Sequence, residues 1–215
     1  MSAMRQAVAA GIAAIAVMTI TGCGRAAGPP AATTTSAEAA TKPAGPPQIV
    51  SGRTAFWAMY TAAHNWASDA QALRVTEKEL PGFKNADGKA GMWEGVFVSP
   101  SRAKYRVLTY SIADAPPNIF KGVDAGLEMP WAGATRDAMP LDLSLFNIDS
   151  DSAYSAASAD AAEWLKKNPG KQVAILEAGD TYRFPDPVWY VMWGTKQAGY
   201  AVYVDADSGK VLKHP

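Results

Sequence analysis

Two stretches of the chain carry apolar residues at helical spacing. From about Arg53 to Ala67, the residues Phe56, Met59, Tyr60, Ala63 and Ala67 recur at three- and four-residue steps and define one face. From about Ser152 to Lys167, the same spacing joins Tyr154, Ala157, Ala161, Trp164 and Leu165. Asp149, Ser150 and Asp151 offer N-caps for the second stretch, Lys166 and Lys167 suit the negative end of a helix dipole, and Asn168-Pro169-Gly170 stops it. Each helical pattern is followed by apolar runs of strand length. After the first come Leu73–Leu80, Met92–Ser99 and Tyr105–Ile112, separated by Asn85–Gly91 and Pro100–Lys104. After the second come Gln172–Glu177, Val188–Gly194 and Tyr200–Asp205, then a short Lys210–Lys213. Turn-forming residues part them at Gly179-Asp180, Pro185–Pro187, Lys196–Gly199 and Ser208-Gly209. The run Trp189–Trp193 is bulky on both faces, which predicts a central or doubly covered strand.

The order helix, strand, strand, strand therefore occurs twice. Trp93 leads to Tyr105 twelve residues on, and Trp189 leads to Tyr200 eleven residues on. Such self-similarity points to duplication. The expected fold class is α+β: two αβββ units, at 51–113 and 149–215, each a helix packed on a curved antiparallel sheet, broadly cystatin-like. Residues 114–148, rich in Pro and Gly, read as an irregular connection, with one alternating stretch at Leu141–Phe146 that suits a further strand.

The N-terminal part differs in kind. Arg5 is the sole charge in residues 1–22, and the apolar run Ala7–Ile20 is shorter than the roughly 20 residues a permanent span needs. A basic start, a short apolar centre and small residues at its end describe a secretory signal. Ile20-Thr21-Gly22-Cys23 resembles the bacterial lipobox, which implies cleavage before Cys23 and acylation of its thiol. Membrane lipid is then the first expected partner, since acyl burial contributes about 0.8 kcal/mol per CH₂. Gly24 after the cysteine resembles the default for outer-membrane sorting in Gram-negative lipoproteins, so the address expected there is the outer membrane facing the periplasm. The alternative is a plain secretory signal cut near Ala26 or Ala27. From residue 23 to 50 the chain is mostly Ala, Thr, Pro and Gly without an aromatic, a tether with a reach of roughly 25–30 Å.

Composition narrows the chemistry. The 215 residues carry 20 basic and 20 acidic side chains, a balance that argues against a nucleic-acid partner. One cysteine excludes an intrachain disulfide and a Cys-based zinc site, and two histidines leave little for a His-rich metal centre. All seven Trp, eight Tyr and six Phe lie beyond residue 50, so the core belongs there.

In the second half a helix ending in Lys167-Asn168-Pro169-Gly170-Lys171 is followed by Val173–Glu177, then Pro187-Val-Trp-Tyr-Val, then Tyr200-Ala-Val-Tyr-Val-Asp205-Ala-Asp-Ser-Gly209-Lys-Val-Leu212. This order resembles the PepSY domain over 149–215, whose hallmark is a penultimate strand running into Val-Asp-Ala-x-Ser/Thr-Gly-Lys-Val. Residues 51–113 look like a diverged relative without that ending. The resemblance implies peptidase inhibition or regulation at the cell envelope, not catalysis, and no cofactor or metal is expected. The expected protein partner is an envelope peptidase or membrane complex. A lipid or small-molecule carrier is the alternative.

Candidate site residues follow from this reading. Trp189, Trp193, Tyr190, Tyr200 and Tyr203 form the densest aromatic group, which is core if both sheet faces are covered and a contact groove if one is open. Trp131, in the connection, is the aromatic most suited to touch a partner, or else to plug the space between the units. Asp205-Ala-Asp207-Ser-Gly209 has the look of a calcium loop, but its glycine stands at position five instead of six, and it reads as an Asp-capped turn. His64 reads as a partly buried, hydrogen-bonded core residue. Glu163, Glu177, Asp180 and Asp186 read as strand ends and helix faces, since no linear spacing makes them a catalytic pair.

Overall fold

The computed structural model describes residues 45–184 and 186–212. The signal segment, Cys23 and the tether up to residue 44 lie outside them, as does His214. Helix α1 covers Gly52–Trp66 and turns Ala55, Phe56, Met59 and Ala63 inward, the face its spacing predicts. The second helical stretch is divided. Helix α2 covers Ser150–Asp160 and α3 covers Ala162–Lys167, parted at Ala161, whose N–H is shared between the carbonyls of Ala157 and Ala159.

Among the described residues eleven strands accompany them: β1 (Val50–Ser51), β2 (Gln71–Lys78), β3 (Lys89–Ala90), β4 (Met92–Ser99), β5 (Lys104–Ser111), β6 (Gly122–Ala125), β7 (Met129–Pro130), β8 (Val173–Gly179), β9 (Val188–Trp193), β10 (Tyr200–Asp205) and β11 (Val211–Leu212). Strands β1 and β3 form a small separate pair. The others build one nine-stranded sheet in the order β11-β10-β9-β8-β2-β4-β5-β6, with β7 also against β5. Every pairing in it is antiparallel. The molecule is thus α+β, with few helices on a mostly antiparallel sheet.

The core lies between the helices and one sheet face. Phe56 meets Phe97 and Phe146 at 6.0 and 5.1 Å, Phe146 meets Trp189 at 5.6 Å, and Trp189 meets Trp93 at 6.5 Å. Each buried tryptophan on this face needs a partner for its indole N–H, because an unmade bond costs about 1–3 kcal/mol. Trp93 and Trp189 find theirs in equivalent places. Trp93 donates to the carbonyl of Val50, next to the N-cap of α1, and Trp189 donates to that of Ile148, next to the N-cap of α2. The two helix N-termini meet above these rings. Gly52 rests there so closely that a Cβ would stand 2.7 Å from Trp189 and 3.1 Å from Trp93.

Strands β2 and β8 join the halves of the sheet through three pairs only, Arg74↔Gly179, Val75↔Ala178 and Thr76↔Glu177. Beyond both ends of this join the strands part. At one end the connection fills the gap: Met139 donates to the carbonyl of Asp180 at 3.2 Å and Leu141 to that of Ala72 at 2.7 Å.

The connection departs from its sequence reading in two ways. It carries strands β6 and β7, whose short Gly- and Pro-containing segments lack an alternating pattern. The alternating Leu141–Phe146 is not a strand. Asp142 accepts hydrogen bonds from the amide and hydroxyl of Ser144, which winds Leu143–Leu145 into a 3-10 turn and sends Leu141 and Phe146 into the core.

Candidate functional site

The aromatic group divides across the two sheet faces because side chains alternate along a strand. Trp189 and Trp193 face the helices and are 0% and 1% exposed. Neither can touch a partner, which corrects their place among the contact candidates. Tyr200 also faces the helices, stacks on Trp164 at 5.9 Å and donates to Asp160 at 3.0 Å. Tyr190 and Tyr203 point to the opposite face, 5.0 Å apart and half-buried, with Phe184 a further 4.8 Å from Tyr203. Burial pushes the Tyr190 phenol up, as do the nearby Tyr203 and Glu177. Trp131 packs with Ala138 over Leu73, Val96 and Val98 on that same face. It plugs a small second core rather than standing free.

The exposed apolar surface lies elsewhere. Phe120, Val123, Leu127 and Met129 fall within ten residues at the β6 edge of the sheet, with Phe120 59% and Leu127 86% exposed. The outward side of β6 has no strand beside it among the described residues. The turn between β6 and β7 is held in place from behind. Glu128 accepts from the Trp66 indole at 2.7 Å and from Arg106 at 3.2 Å, while Arg102 and Arg106 lie 5.7 and 5.3 Å over the Trp66 ring. The Trp66 hydrogen bond, aided by the charge of Arg106, holds the Glu128 carboxyl below its usual range. Leu127 and Met129, on either side of that anchor, therefore project from a fixed turn. Sequence reasoning missed this group because its apolar residues follow neither period. The available signal was their presence, unpatterned, in a connection rich in Pro and Gly.

The chemical candidates resolve into structural roles. Asp205 accepts from the amides of Asp207 and Ser208 at 3.0 and 2.6 Å and from the Ser208 hydroxyl, and Gly209 follows at φ 74°, the turn read from the sequence. Burial alone would raise the Asp205 carboxyl, but the Ser208 and Asp207 hydrogen bonds outweigh it and hold it low. His64 lies 4.4 Å from Tyr60, half-buried as expected, but its Nε2 finds no hydrogen-bond partner among the described residues. Glu177 accepts from Thr76 at 2.7 Å across the join, and Glu163 pairs with Lys166 at 2.7 Å on the surface. Asp180 is pushed up by burial and by the charges of Asp186 and Asp142. Among the described residues no three His, Cys, Asp or Glu side chains stand close enough to hold a metal ion. No helix there is long and apolar enough to cross a membrane. A groove of about 900 Å³ lies between the loop Glu79–Gly88 and the start of β8, and is lined mainly by polar groups.

Comparison with known proteins adds little. No protein-family model matches the chain, and no curated protein matches it. A crystal structure of a "putative lipoprotein" from Clostridium difficile 630 is similar at 14% identity and a TM-score of 0.48, covering 75% of this chain and 91% of that one. A likeness at that level carries no argument about function.

Proposed function

We propose that this is a non-catalytic, lipid-anchored protein of the bacterial cell envelope that binds a protein partner, an envelope peptidase or membrane complex, through the β6 edge. One observation carries the reading: exposed apolar side chains line a sheet edge with an open outward side, Val123 on one face and Met129 on the other, and Glu128 fixes the turn that presents Leu127 and Met129. An open edge offers a partner main-chain hydrogen bonds, and flanking apolar side chains add area removed from water. The lipobox-like Cys23 supplies the anchor. We further read the halves as two copies of one αβββ unit, both PepSY-like. The paired hydrogen bonds from Trp93 to Val50 and from Trp189 to Ile148 support this, since each joins equivalent positions. The carrier reading has less behind it, because a carrier needs an enclosed, mostly apolar pocket. Here the interior is filled by aromatic rings and the large groove is open and polar.

A photo-crosslinking residue at Leu127, in the full lipidated chain in its native envelope, tests the edge. The expected result is one dominant crosslinked protein, lost when Val123→Asp is added. Crosslinks to lipid alone, or a pattern unchanged by Val123→Asp, would overturn it. The anchor is tested apart from this: Cys23→Ser should release the protein from the membrane fraction, and retention equal to wild type would refute acylation.

A further inference from the structure

The join between β2 and β8 is short, and both its ends open into wedges. The wedge beyond Arg74↔Gly179 is filled by the chain's own extended segment Met139–Leu141, whose amides donate to both walls, Asp180 and Ala72. The wedge beyond Thr76↔Glu177 is the 900 Å³ groove. Its walls are the last residues of β2 with the loop after it, and Lys171–Ala174 at the start of β8. Both β2 and β8 are satisfied on their outer sides, by β4 and β9, but turn no paired strand toward one another here.

We propose that this second wedge binds an extended peptide segment of a partner, inserted as an added strand antiparallel to β2, with an apolar side chain over Tyr154 and a basic side chain beside Glu77. The filled wedge is the precedent within the same molecule: an extended segment fits there and bonds both walls. It runs antiparallel to β8 through the pair Met139↔Asp180. The equivalent wall at the open wedge is β2, which sets the direction of the incoming strand. The site is also built. Asn85 donates to Glu77 at 2.9 Å and to the carbonyl of Lys78 at 3.0 Å, and accepts from Gly91, so the loop wall is tied to β2 rather than free to close the groove. Tyr154, backed by the buried Trp193 at 6.1 Å, forms the apolar floor near the mouth. Glu77 lies next to the last pair of the join with Glu79 in the same wall, where Lys78 is already paired with Glu94 at 3.2 Å and Lys84 and Lys171 lie farther along the lining. Strand spacing of about 3.3 Å per residue gives Lys171–Leu176 a length of roughly 20 Å, enough for five or six residues of guest. The main chain supplies affinity and the alternate side chains supply selectivity, as in other strand additions.

This site is separate from the β6 edge, and the test reads it separately. The probe is the blocked hexapeptide Thr-Val-Thr-Val-Thr-Lys, added to the full chain and followed by amide exchange and NMR shifts. Expected are protection and shifts at Glu77–Glu79 and Val173–Leu176. The same peptide N-methylated at both valines should bind at least tenfold more weakly, because it lacks the donors. Glu77→Gln should weaken the lysine peptide severalfold and leave one ending in threonine unchanged. No shifts at millimolar peptide, shifts at Phe120–Met129 instead, or equal binding of the N-methylated peptide would each overturn the proposal. Those failures leave the Leu127 crosslink untouched, just as loss of that crosslink leaves peptide binding in the wedge untouched.

Discussion

Removal of the Asp149 side chain should cost this protein far more than an ordinary helix cap. Asp149 is the N-cap of α2, and its Oδ1 accepts from the amide of Ser150 at 2.7 Å. The same oxygen accepts from the amide of Arg53 at 2.9 Å, in the first turn of α1, 96 residues away in the chain. Its Oδ2 accepts from the hydroxyl of Ser51 at 2.6 Å. Ser51, the N-cap of α1, makes no side-chain cap bond of its own, so the distant carboxylate caps both helices. Loss of one cap costs about 1 kcal/mol, within a range of roughly 0.5–2. A negative charge at a helix N-terminus adds about 0.3–1 kcal/mol per helix. For two helices, Asp149→Ala should therefore destabilise by about 3 kcal/mol. At this chain length, where 1 kcal/mol moves Tm by roughly 2–4 °C, that is a fall of about 6–12 °C. Asp149→Asn keeps an acceptor but no charge and should lose about 1 kcal/mol. Thermal unfolding measures the total, and amide exchange at Gly52 and Arg53 reports whether α1 feels a substitution made on α2. Glu163→Ala, which removes an exposed pair with Lys166, is the control and should stay within about 0.5 kcal/mol. If Asp149→Ala cost no more than that control, or left α1 exchange unchanged, the shared cap would be wrong.

Three further outcomes follow from the packing and the polar contacts. Gly52→Ala, usually stabilising within a helix, should here destabilise by about 1–3 kcal/mol, since its Cβ meets two buried indoles, and a gain in Tm would contradict the close approach. Trp93→Phe and Trp189→Phe should each cost about 1–3 kcal/mol, and similar amounts, because each strands the carbonyl before a helix N-cap. Denaturant unfolding of the two variants, compared side by side, checks this. Asp69 is held at about 2 chiefly by the hydroxyl of Ser99, then by the amide of Ser101. Its folded value lies below its ordinary 3.8, so the stability it contributes is present above pH 4 and is lost as pH falls toward 2. An NMR titration should show that midpoint, and Ser99→Ala should raise it; a midpoint near 3.8 in the wild type would remove the effect.

The periodic segments were legible in the chain alone, and their physical basis explains why. Phe56, Met59 and Ala63 must share a face on any helix, and Trp189, Val191 and Trp193 must share one on any strand, whatever surrounds them. So the class α+β, helix α1, strands β8, β9 and β10, and the Asp205–Gly209 turn could all be read locally. The lipobox-like start is local in the same sense, as a short string of residues. The tertiary structure decided which sheet face would be covered, and thereby placed Trp189 and Trp193 in the core and Tyr190 and Tyr203 on the opposite face. It also decided where the Asp142-capped turn would sit, because a backbone acceptor at Ala72 and a core site for Phe146 receive its two ends. The shared cap of Asp149, the exposed Phe120–Met129 edge and the two wedges beside a three-pair join were equally out of reach from the chain. Each depends on groups some 60 to 100 residues apart that meet only in the folded chain, and no local period records such a meeting.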